Sequence, residues 1–150
     1  MTETMNATTP IERLKALAPR QHLSLGVMAA NKPDDFAVVM AAAGCAFGAA
    51  EACSERDVNE RLRAWLEGPG TMLATDHVEL RRWLVDNGVL SRDGYGRVYT
   101  RGAPRQEIAD AMAFLAGHDV AAVVDTARSE DIARREARKA QWAKGQGTAP

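Results

Sequence analysis

The stretch DHVELRRWLVDNGVLSRDGYGRVYT, residues 76–100, limits the fold more than any other part of the chain. Leu80, Trp83 and Leu84 recur at helical spacing, and Gly88 follows where a left-handed residue would stop the helix. The spacing predicts a helix capped by Thr75 and running to about Asn87. Two strand-like runs, 89–92 and 97–100, then flank Asp93-Gly94, a dipeptide suited to a tight hairpin turn. A helix that stops on glycine and enters a short hairpin at once admits few architectures.

The preceding residues narrow the choice. After the loop NKPDD, Phe36, Val39, Met40, Ala43 and Phe47 recur at helical spacing, with a stop expected between Gly44 and Gly48. Residues 51–53 suit a short strand. Ser54 then caps a helix whose stripe is Val58, Leu62, Trp65 and Leu66, halted by Gly68-Pro69-Gly70. Helix, short strand, helix, helix, hairpin is the order of a winged helix-turn-helix. The predicted core is Phe36, Val58, Leu62, Trp65, Leu80, Trp83 and Leu84, with the two tryptophans joined across GPGTMLAT. That loop is slightly long for a tight helix-turn-helix. Further upstream, Thr9, Pro10 and Glu12 start a helix faced by Ile11, Leu14 and Leu17. In QHLSLGVMAANKP, Leu23, Leu25 and Val27 alternate as in a strand, while a short helix fits equally well.

Past Gly102 and Pro104 the composition changes. Ile108, Met112 and Leu115 mark one helix, Asp119 opens another bearing Val120, Val123 and Val124, and Ser129 opens a basic, alanine-rich one. The expected fold is mainly α (α+β). Residues 9–103 form a winged helix-turn-helix-like domain with a small β-hairpin wing, and 104–145 a C-terminal helical extension. Residues 1–8 and 146–150 are expected to be disordered ends. At 150 residues, with 46% apolar and 26% charged side chains, one such core is affordable.

Several classes of function lose support. Lys and Arg total 19 against 20 for Asp and Glu, so nucleic-acid binding would need a local basic patch. Cys45 and Cys53 form no C-x-x-C pair, and His22, His77 and His118 lie far apart, so neither a metal nor another cofactor is expected. No nucleophile elbow, phosphate loop or dinucleotide fingerprint is present, and catalysis is not expected. No apolar run reaches membrane-spanning length and the first residues do not read as a signal, which points to a bacterial-type cytoplasm and no membrane partner.

One resemblance is specific. Ser54, Glu55, Val58, Asn59 and Leu62, followed by Asp76, Leu80, Arg81, Arg82, Leu84, Val85, Asp86, Gly88, Leu90 and Arg92, resemble the hallmark of domain-of-unknown-function family 2087. The similarity covers about residues 19–101. That family occurs alone and as an extension of ArsR-type transcriptional repressors. The resemblance implies a winged-helix-like fold and a link to transcriptional control, without an assigned activity. The chain departs from the pattern in a thin basic run upstream, with only Arg20 and Lys32, and in Thr100 where the family has Trp.

The candidate nucleic-acid-binding residues are Arg81, Arg82, Arg92, Tyr95, Arg97 and Arg101, with double-stranded DNA as partner. Arg81 and Arg82 point about 100° apart on one helix. Asp76, Glu79 and Asp86 share that helix, so structural ion pairing competes with base reading there. Arg92, Arg97, Arg101 and Arg105 are opposed nearby only by Asp93, with Tyr95 at the hairpin tip. The basic tail from Arg128 to Lys144 suits a solvated helix with i to i+4 pairs, a phosphate-tracking arm or a contact with an acidic partner. Trp142 is expected to pack on the domain or on a second subunit, and the C-terminal helices are the expected homodimer contact. The rival reading is a protein-interaction module that keeps the winged fold without reading DNA. A third is a sensor with a small-molecule pocket between core and extension.

Overall fold

The structure is a computed structural model that describes residues 8–147. Its elements are α1 (Pro10–Leu17), α2 (Leu25–Asn31), α3 (Pro33–Gly44), β1 (Cys53–Ser54), α4 (Glu55–Glu67), α5 (His77–Asp86), β2 (Leu90–Arg92), β3 (Val98–Arg101), α6 (Gln106–Leu115) and α7 (Val120–Gly147). The three strands form one antiparallel sheet in the order β1-β3-β2. Cys53 pairs with Tyr99, and Arg92 pairs with Tyr99 from the other side. From α3 to β3 this is a winged-helix-like arrangement in a mainly helical α+β chain.

The core is built around α3. Its residues 36–44 are all buried, as a helix apolar on every side must be. It packs against α1, α2, α5 and α6. Gly44 lets it come close to Val89 and Met112, where a Cβ would meet both side chains. Phe36, Val58, Leu62, Trp65, Leu80 and Leu84 are buried in this core as expected. Trp83 is only partly buried and meets Phe36 edge to face at 5.4 Å. The expected joining of the two tryptophans gives way to separate partners: Trp65 lies over Gly70, while Trp83 meets Phe36.

Several boundaries differ from expectation for local reasons. The open alternative at 25–31 resolves as helix α2, because the Ser24 hydroxyl accepts from the Val27 amide at 3.2 Å. Leu23 alone keeps extended pairing, in a parallel bridge with Leu73. Asp76, not Thr75, caps α5 and accepts from the Glu79 amide at 2.8 Å, while Thr75 donates to the Glu79 carboxylate. The hairpin turn is longer than the two residues Asp93-Gly94. Gly96 donates to the Asp93 carbonyl and itself takes the left-handed φ of +68°, so Arg97 falls in the loop, outside β3. This is a turn followed by a glycine bulge. Residues 51–52 lie outside β1.

Ser129 does not open a new helix. The Asp119 carboxylate caps α7 through the Ala122 amide at 3.1 Å, and the helix then runs unbroken for 28 residues. It continues through Gly147, past the expected start of the tail at 146; residues 148–150 and 1–7 lie outside the described residues. α6 and α7 contribute Ile108, Leu115, Val124 and Ala127 to the same core as α1 and α3. From Ile132 to Gly145, α7 is exposed on all sides, and Trp142 projects to solvent outside the core.

Candidate nucleic-acid interface

The adjacent arginines of α5 have different surroundings. Arg81 is 19% exposed. Its Nη1 donates to Asn59 Oδ1 at 2.5 Å and lies 3.4 Å from Glu55 Oε1. Tyr99 on β3 donates to that same Glu55 oxygen at 3.5 Å. Arg81 therefore ties α5 to α4, and Glu55 extends the tie to the wing. Arg82 projects to solvent and has no ion-pair partner among the described residues. Glu79 is drawn instead to Thr75 and to the Trp83 indole.

A cleft of about 310 Å³ lies between α5 and the wing, lined by Val78, Arg81, Arg82, Val85, Asp86, Arg92 and Tyr99. Arg92 is exposed on β2 at its rim. Asp86 is its one acidic lining residue. At the tip, Tyr95 is 85% exposed and Arg97 sits over its ring at 5.9 Å. Asp93 is engaged with the backbone: its carboxylate accepts from the Arg97 amide at 2.8 Å, and these amide bonds hold its pKa below the usual carboxylate range. Asp93 thus shapes the loop that presents Arg97.

Arg101 lies apart from this surface. Its Nη1 donates to the Phe47 carbonyl at 3.4 Å, at the end of the sheet that meets the last turn of α3. It shares a groove there with Cys45, Phe47 and His118. Burial raises the Cys45 thiol pKa, and the nearby Arg101 charge partly offsets this. Arg105 approaches the Phe36 ring at 5.9 Å and pairs with Glu107 at 3.7 Å. The structure therefore brings Arg82 and Arg92 together with Arg81 at the cleft, places Arg97 over Tyr95 at the tip of the wing, and separates Arg101.

Two further arginines organise the site from behind. Arg128 on α7 donates through Nε to the Ala18 carbonyl at 3.0 Å, through Nη1 to Gly68 at 3.0 Å and through Nη2 to Pro69 at 3.1 Å. It joins the end of α1 to the α4–α5 turn, and its desolvation lowers its pKa. That turn is closed further by buried Met72 and Leu73, the latter bridged to Leu23. The loop that looked long in the sequence is thus packed and pinned. Arg61 grips Glu51 with both terminal nitrogens, at 2.5 and 2.6 Å, and also donates to the Ala46 carbonyl at 3.1 Å. Its guanidinium lies over Phe47 at 5.3 Å. These bonds pull the Glu51 pKa down to about 2.

Among the described residues no cluster of His, Cys, Asp and Glu is arranged to hold a metal, and no helix is long and apolar enough to cross a membrane. No curated protein and no solved structure matches the chain. A family model does match, over residues 29–101, the span from α2 to the end of the wing. Those residues carry the α3-to-wing arrangement, the Arg81–Asn59 tie and the cleft. The matching family is DUF2087, uncharacterized proteins conserved in bacteria, and residues 29–101 are similar to it.

Proposed function

We propose that the protein is a non-catalytic, cytoplasmic DNA-associated regulator or accessory domain of transcription, and that it meets the duplex with the wing and the outer face of α5. The observation that carries this reading is the company of Arg82, Arg92 and Arg97. All three are exposed and none has an ion-pair partner among the described residues; Arg82 and Arg92 line one cleft, and Arg97 lies over exposed Tyr95 at the wing tip. Cations left unpaired in this way contact phosphates and release counterions. Arg82 is the α5 arginine free to reach a groove, because Arg81 is spent on Asn59 and Glu55.

Fluorescence anisotropy with pooled genomic duplex fragments at several salt concentrations tests the proposal. Binding should weaken steeply with salt, and Arg92→Glu/Arg97→Glu should lower the slope of log K against log salt by about two. No binding by the unaltered protein at low salt, or binding indifferent to that variant, would overturn it.

A second reading has its own support. Val78 is 41% exposed and lines the cleft with Asp86, a mixed apolar and acidic rim better suited to a protein surface than to a polyanion. A partner captured by the unaltered protein and lost by Val78→Glu, with no binding of duplex, would favour an adaptor.

A further inference from the structure

The outer half of α7 has no role in the fold. After Asp131 every residue through Gly145 is exposed. Between Ile132 and Gly145 stand Arg134, Arg135, Arg138, Lys139 and Lys144, against one acid, Glu136. The distribution around the helix is uneven. At about 100° per residue, Arg134, Arg138, Arg135 and Lys139 fall on one arc of about 140°, with Trp142 inside it. Ala133, Ala137 and Ala140 lie on the opposite side together with Lys144, and Glu136 lies off the arc. Arg134 and Arg135 share Asp131 at 3.7 and 2.9 Å, whereas Arg138 and Lys139 have no ion-pair partner among the described residues. These two sit four and three residues before Trp142, one turn away on the same face. Trp142 is 70% exposed.

We propose that this face is a second nucleic-acid contact, in which Arg138 and Lys139 hold phosphates and the Trp142 indole stacks on an unpaired base. The charges and geometry of this face choose among occupants. A second copy of the chain would bring one strongly basic face against another, a like-charge contact that costs association. A lipid surface is met by helices whose tryptophan lies on the apolar side, opposite the cations. Here the tryptophan lies among the cations, and the opposite side offers only alanine methyl groups interrupted by Lys144, too little apolar surface to enter a bilayer. Aromatic groups interleaved with cations are the arrangement that tracks a single strand, where stacking contributes about 1–3 kcal/mol per base. The inference extends the DNA reading given above but stands on different residues, so each can fail alone.

The indoles separate the test from that of the wing. Trp65 is buried and Trp83 partly so, leaving Trp142 as the exposed fluorophore. The full chain is titrated with oligo(dT), and in parallel with vesicles of phosphatidylserine and phosphatidylcholine. Oligo(dT) should quench tryptophan emission. Trp142→Phe should abolish the quenching, and Arg138→Glu/Lys139→Glu should weaken binding at least tenfold and lower the salt slope by more than one. Arg92→Glu/Arg97→Glu should leave the Trp142 quenching in place. Quenching unchanged in Trp142→Phe, affinity unchanged in the α7 double variant, a response to vesicles but not to oligo(dT), or a Trp142-dependent dimer that binds no oligo(dT), would each overturn the assignment. Loss of duplex binding in the wing variant, together with oligo(dT) binding unchanged in the α7 variants, would leave the wing reading intact while this one fails.

Discussion

Arg81 on α5 donates to the side-chain oxygen of Asn59 on α4, at 2.5 Å, across the interface of the two helices that would form a helix-turn-helix. The neighbouring Arg82 makes no such bond. Adjacent residues of identical chemistry are thus assigned to different tasks by a turn of about 100°. Replacing Arg81 by Ala should lower stability by about 1.5–3 kcal/mol, the range for hydrogen bonds to a charged group. Arg82→Ala should stay within about 0.5 kcal/mol of the unaltered protein, as for a surface change. Urea denaturation of both variants checks this; equal losses would contradict the division of roles.

Arg128 serves three backbone carbonyls, of Ala18, Gly68 and Pro69, that belong to segments far apart in the chain. Arg128→Ala should cost about 3 kcal/mol, because partly buried acceptors lose their donors. Arg128→Lys should recover less than half of that, since one ammonium cannot reproduce the planar fork. Hydrogen exchange should quicken at the 68–76 turn in both variants, and unchanged exchange there would show that the turn holds by itself.

In the wing, the two loop glycines should respond differently to alanine. Nothing lies within 4 Å of a Cβ built on Gly94, and its backbone is not left-handed. Gly94→Ala should therefore be close to neutral. Gly96 has φ +68°, so Gly96→Ala should cost about 1 kcal/mol although its Cβ would also meet open space. Gly102→Ala should be the worst of the three, about 2 kcal/mol or more, because its Cβ would be driven into the Gly88 carbonyl oxygen, part of the backbone. Thermal melts of the three variants would establish the order.

Glu51 gives the fold an acid-sensitive contact. The Arg61 side chain and the Gly48 amide bring its pKa from 4.5 down to about 2. A carboxyl group lowered on folding stabilises the folded state fully above its ordinary pKa, and that contribution fades as pH falls from about 4.5 to about 2. Glu51→Gln should be less stable than the unaltered protein at pH 6, and the two should converge towards pH 2. Urea midpoints at several pH values measure this; a difference that persists undiminished at pH 2 would contradict it.

Much of the scaffold was legible in the sequence. Val58, Leu62 and Trp65 at helical spacing behind a Ser54 cap leave little alternative to α4, and the element order through the hairpin announced the winged arrangement. Trp65 was legible as core because its neighbours share its face; Trp83 was not separable from it, since only the position of Phe36 fixes its partner. The roles of the arginines were less accessible. Whether Arg81 or Arg82 is free depends on Asn59, 22 residues away. Arg128 read as part of a solvated tail because its partners are main-chain carbonyls, which no residue type advertises. The same holds for Arg101 and the Phe47 carbonyl. The glycine that turns the wing was misplaced because Asp93-Gly94 and Gly96 compete, and the loop length decides which one becomes left-handed.

The all-round burial of α3 has a practical consequence for anyone who excises the matched domain. Residues 29–101 include α3 but omit α1 and α6, which cover its other flanks, and α7, which supplies Arg128. A fragment cut at those limits would expose a continuous alanine, valine and methionine surface to water and leave the α4–α5 turn without its latch. It should collapse into aggregates or acquire a substitute cover. The autonomous folding unit is therefore larger than the unit that recurs as a sequence, and any homologue carrying the shorter piece must provide the missing wall from elsewhere.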